Sequence, residues 1–179
     1  MSSLQRLTTE YVETEDRIRI TGELSNSADD APTAPTVVLW LTQRLLNRLL
    51  PHLFSWLQQH DSPPSWGDEA VQGFAQQTAV AALQAQAAEP VCSAAQSPSW
   101  LVHSLQLSST PEQLQLHFPT ATQQPTERIS LTLAAQPLRQ WLHIVYDLYV
   151  RAGWPVALWP QWLVETKQLG SARPNTWLH

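Results

Sequence analysis

Two periodicities divide the chain. Over 128–133, Ile129, Leu131 and Leu133 are interleaved with Arg128, Ser130 and Thr132, the period of two expected of a strand with one buried face. Similar alternation runs through 6–24 and 105–118. In the first of these, a turn centred on Glu15 and Asp16 places Glu13 opposite Ile18, Tyr11 opposite Ile20 and Leu7 opposite Leu24. Glu10 and Arg19 are then diagonal neighbours on the wet face. In the second, the turn Thr110–Gln113 puts Pro111 where its fixed φ is favourable. It pairs Leu105 with Phe118, Leu107 with Leu116 and Ser109 with Leu114. Val37–Leu41 is apolar on both faces, the pattern of a central strand.

Elsewhere the apolar positions fall at three- and four-residue spacings. From Thr42 onward, Leu46, Leu49, Leu50, Leu53, Phe54 and Leu57 predict a helix. Pro51 lies within it, and a proline there removes a backbone donor and crowds the preceding turn, so a kink or two abutting helices are expected. A second helix over Glu69–Ala88, N-capped by Asp68, is Ala- and Gln-rich and carries a thin apolar stripe of Val71, Phe74, Thr78, Ala82 and Leu83. A third begins near Pro137, presents Leu138, Trp141, Leu142, Val145, Leu148 and Tyr149, and ends at Gly153. Residues 25–35, 60–67 and 91–99 read as loops.

The resulting fold class is α+β, with two β-β-β-α units, each an antiparallel meander with a covering helix, and an extra Ala-rich helix after the first. Residues 1–179 are read as a single domain with pseudo-halves 1–90 and 99–154, followed by a Trp/Pro-rich tail over 155–179. Superposing residue 39 on residue 131 matches Leu39, Leu41, Leu46 and Leu50 with Leu131, Leu133, Leu138 and Leu142. An internal repeat is one explanation; the plain one is that any meander followed by a helix looks alike. A three-stranded unit is marginal alone, so the halves are expected to share a core. The rival architecture is one antiparallel sandwich with a helical pair inserted midway and a helix following. That element order, without any motif, resembles the head domains of DNA end-joining scaffold proteins.

Composition narrows the function classes. Hydrophobic residues make up 43% and charged residues 14% of the chain, a globular rather than a disordered balance. A net charge of −5 argues against nucleic-acid binding, which draws on concentrated Lys and Arg. The single cysteine, Cys92, excludes an intrachain disulfide and a Cys-rich zinc site. The first residues lack the apolar core of a secretion signal, and no apolar run reaches the ~20 residues of a membrane helix. A cytoplasmic setting is the expectation.

Candidate chemistry is sparse. His103 and His117 fall on opposite faces of the second hairpin and cannot share one metal ion. Cys92 has no neighbouring histidine to activate it, and the five glycines make no phosphate-cradling loop. No metal or other cofactor is expected, and the enzyme reading is disfavoured. His52 and His143 occupy nearly equivalent places in two helices, and with Arg44, Arg48 and Arg139 they form the candidate pocket between the halves. The tail places Trp154, Trp159, Trp162 and Trp177 after the last helix, either filling the core or forming an aromatic interface. The leading expectation is a non-catalytic protein-protein interaction or assembly protein, homodimeric or bound to a protein partner. The alternative is a small-molecule-binding domain or small enzyme.

Overall fold

A computed structural model of the chain describes residues 2–25, 35–61, 68–85, 89–119 and 128–165. The elements follow as β1 (Ser2–Val12), β2 (Arg17–Leu24), β3 (Thr36–Leu41), α1 (Gln43–Asp61), α2 (Asp68–Ala85), β4 (Ser99–Leu101), β5 (Gln106–Ser109), β6 (Gln113–Pro119), β7 (Arg128–Ala134) and α3 (Ala135–Ala152). This is an α+β protein with two strand-strand-strand-helix runs and α2 after the first. The strands form one mixed sheet in the order β4-β3-β2-β1-β7-β6-β5, so the two-sheet sandwich is not the architecture. Each meander is antiparallel within itself. The two are joined where β1 runs parallel to β7, with Leu4 beside Leu131, and β4 runs parallel to β3.

That strand order forces the sheet to curl. β4 and β5 lie at opposite edges, which in a flat seven-stranded sheet would stand about 29 Å apart. The chain joining Leu101 to Gln106 can reach at most about 18 Å. The edges must therefore approach each other, and Trp100 of β4 donates its indole N–H across to the carbonyl of Pro119 at the end of β6, 3.1 Å away.

β1, β3, β5 and β7 all finish at one end of this curled sheet, and both core helices start there. α1 leaves β3 and reaches the turn of the other meander, where Trp56 donates to the Thr110 carbonyl at 3.0 Å and His60 meets the Pro111 carbonyl at 2.6 Å. α3 leaves β7 and ends against the β1–β2 turn, where Trp154 donates to Asp16 Oδ1 at 2.9 Å. Each meander's helix is thus anchored on the turn of the other, and Tyr149 of α3 ties the pair by donating to Asn47 of α1. Ile18, Ile20, Leu39, Leu116, Phe118, Ile129 and Leu131 of the sheet share one core cluster with the inward leucines of both helices. The eight leucines matched above are all buried. A strand that runs into a helix over a common core puts its leucines inward whether or not the halves share an origin.

Local departures from expectation have physical causes. The second hairpin has the expected register, with Leu107 opposite Leu116 and Ser109 opposite Leu114. The first is shifted by two residues: Tyr11 faces Ile18, Thr9 faces Ile20 and Leu7 faces Gly22. Residues 13–15 form a 3-10 turn and Asp16 adopts the left-handed conformation at φ 47°, so the loop consumes four residues instead of two. Faces are conserved because the shift is even, and Glu10 and Arg19 become direct partners at 2.6 Å. Gly22 leaves room for Leu4, whose side-chain end would have to turn aside for any Cβ placed there. α1 runs through Pro51 as one helix, not as two abutting ones. The first arm of the second hairpin is split, since Ser99–Leu101 pairs with β3 instead. Residues 89–98 cross the outer face of the first meander, with Val91 N–H on Thr8 and Ala94 N–H on Thr36, over the row that buries Thr21 and Val38.

Candidate functional site

α2 lies against α3 through polar groups. Arg139 of α3 is buried and donates to the side-chain oxygen and to the main-chain carbonyl of Gln72. Gln76 donates to the Arg139 carbonyl at 3.1 Å and Gln140 to the Ala79 carbonyl at 3.1 Å. The Arg139 guanidinium also sits 5.1 Å from the ring centre of Trp162. A guanidinium carries five donors and no acceptor, so a buried one calls for oxygens, and Gln72 turns inward to supply two of them, while the Gln76 amide donates to the Arg139 main-chain carbonyl.

This inverts the expected facing of α2. Gln72, Gln76 and Ala79 are buried, while Phe74 is 73% and Val71 is 41% exposed. The outward positions 71, 74, 78, 81 and 85 are Val, Phe, Thr, Ala and Ala, all exposed, and Ala70–Ala85 contains no charged residue. Their spacing of three and four is that of a helix seam that meets another helix. Beside it lies a groove of about 560 Å³ lined by Glu69, Gly73, Phe74, Gln77, Trp162 and Glu165. The Asp68 side chain lies outside the described residues, so the N-cap has no structural account.

The tail indoles fill the core. Trp154, Trp159 and Trp162 are buried; Trp159 meets Phe54, Tyr146 and Tyr149 at ring separations of 5.1–5.4 Å, and Trp154 packs on Tyr11 and Tyr149. They are therefore not an exposed aromatic face of this chain. Trp177 lies outside the described residues. Burial raises the Tyr149 phenol above its usual range. The Tyr11 phenol is also raised, chiefly by its hydrogen bond to Asp16.

The five candidate pocket residues separate into two groups. Arg139 and His143 lie on α3, Arg139 in the seam with α2. Arg44, Arg48 and His52 follow one another on the exposed side of α1. Arg48 and His52 line a groove of about 330 Å³ with Leu45 and Leu49 of the same helix and His103, Ser104, Leu105 and Leu107 of the chain entering β5. Among the described residues no three His, Cys, Asp or Glu side chains gather as metal ligands, and no helix is long and apolar enough to cross a membrane.

Sequence reasoning missed Gln72, Gln76, His103 and Leu107. The uncharged run after Glu69 was a visible signal that α2 has no ordinary solvent face; nothing in the sequence placed His103 beside α1. Comparison with protein-family models, with curated proteins and with solved structures found no match.

Proposed function

We propose that the protein works by binding rather than catalysis, and that it pairs with a second copy of itself through the outer face of α2. The observation that carries this reading is Phe74, an aromatic side chain 73% exposed in the middle of an uncharged, heptad-spaced stripe. A helix facing water normally carries charge on that side. The stripe suits a twofold contact: in an antiparallel pair centred on Thr78, Phe74 of each copy lies over the small residues Ala81 and Ala82 of the other. The acidic N-terminal turns then stay about 27 Å apart. A cytoplasmic setting belongs to the same reading, supported by the solitary exposed Cys92.

Light scattering on a size-exclusion column tests it. The expected result is a dimer mass for the wild type that falls to the monomer in Phe74→Glu, with unchanged circular dichroism. Thr78→Cys in a Cys92→Ser background is expected to form an interchain disulfide under mild oxidation. A wild type that stays monomeric at several hundred micromolar overturns the proposal.

A further inference from the structure

Independently of the α2 pairing, we infer that the groove between α1 and the chain entering β5 binds a small amphipathic carboxylate, a carboxyl group carried on an apolar chain.

Its composition is that of a ligand site: four leucines, 45, 49, 105 and 107, with Arg48, His52, His103 and Ser104, in a volume within the usual span for small molecules. Leu107 is 38% exposed, so apolar floor is open to water there. The charge is one-sided. No carboxylate lines the groove among the described residues. Arg48, His52 and His103 make no ion pair or hydrogen bond among the described residues. By contrast, the three arginines of the first hairpin, 6, 17 and 19, are each paired with a glutamate. In a chain of net charge −5 an arginine set over leucine with no carboxylate beside it among the described residues is a local exception, and it complements an anion with an apolar tail.

The position has a structural origin. Because the sheet curls without β4 and β5 pairing, the outer edge of β5 has no strand beside it among the described residues. α1 crosses this end of the sheet on its way to the β5–β6 turn, bringing Arg48 and His52 beside His103 and Leu107. Arg48 then supplies a charge-assisted bond to the carboxylate, the imidazoles and Ser104 add donors, and the leucines take the chain.

Calorimetric titration with octanoate, octanol and octylammonium distinguishes the contributions. Octanoate is expected to bind, octylammonium at least tenfold more weakly, and acetate not to compete. Arg48→Gln is expected to weaken octanoate about tenfold, and Leu107→Ser several-fold. Both positions are exposed, and a thermal melt checks that each variant folds. A leucyl-leucine peptide with a free C-terminal carboxylate, set against its amide, distinguishes a peptide end from a free acid as the source of the group. The proposal is overturned if octanol binds as tightly as octanoate, if Arg48→Gln leaves the affinity unchanged, or if millimolar octanoate gives no saturable heat. Phe74→Glu is expected to bind octanoate as the wild type does, so failure here leaves the α2 reading standing, and the converse.

Discussion

Helices α2 and α3 are both 18 residues long and lie side by side, yet they face their surroundings in opposite ways. α3 buries Leu138, Trp141, Leu142, Val145 and Tyr149 and closes on Gly153, whose φ of 68° suits the left-handed cap. α2 buries two glutamines and turns a phenylalanine outward. The difference originates in one residue: α3 commits Arg139 to the shared seam, and a buried cation dictates the polarity of whatever packs on it. Helical periodicity says that a helix has a face. It does not say which face goes inward, because the neighbour decides that.

The largest effect expected to separate the two helices comes from matched truncations. Leu142→Ala is expected to cost about 2–5 kcal/mol in urea unfolding, whereas Phe74→Ala, measured at a concentration where the chain is monomeric, is expected to stay within about 0.5 kcal/mol. A Phe74→Ala loss as large as that of Leu142→Ala would mean that the outer face of α2 is packed within the monomer, and the contrast would collapse.

A smaller effect sharpens the account of the seam. Gln72→Leu adds apolar surface to a helix contact but removes an acceptor from Arg139. The expected change is a destabilisation of about 1–3 kcal/mol, with amide exchange in α2 rising before that in α3. A stabilised Gln72→Leu protein would show that Arg139 does not set the orientation of α2.

The third effect concerns how α3 is held to α1. Tyr149→Phe removes the 2.9 Å bond to Asn47, a loss of about 1 kcal/mol at neutral pH. Since burial raises the folded-state value of Tyr149, the folded protein holds this proton more tightly than the unfolded chain. Its contribution is complete below about pH 10 and declines as the pH rises beyond that toward the folded value. The wild type is therefore expected to lose stability above pH 10 more steeply than Tyr149→Phe. Parallel pH profiles would contradict this.

What could be read in the sequence was whatever is settled by near neighbours. Thr110–Gln113 is a short turn, and its hairpin register followed directly. Asp16 hides a left-handed residue inside a turn of ordinary composition, so the first register moved by two, although its faces did not. The Leu-rich face of α1, the stop at Gly153 and the inward leucines of β7 were legible for the same local reason. Long-range pairings were not. Ser99–Leu101 is too short to show a period, and its partner β3 lies about sixty residues upstream. The parallel join of β1 to β7 leaves no mark in either strand. Among candidate site residues, Arg48 and His52 were on the page from the outset, but their companion His103 was brought to them by the curl of the sheet.

The join between β1 and β7 also sets a timetable. During synthesis β2 can fold back on β1 within seconds, but the other edge of β1 has no partner until Leu131 has been made. At roughly 5–20 residues per second that edge waits on the order of ten seconds, with its main-chain donors and acceptors open to any passing strand. The curled sheet cannot be assembled half by half. Its seam cannot close until β7 has been delivered, and the growing chain has to keep β1 from pairing elsewhere until then.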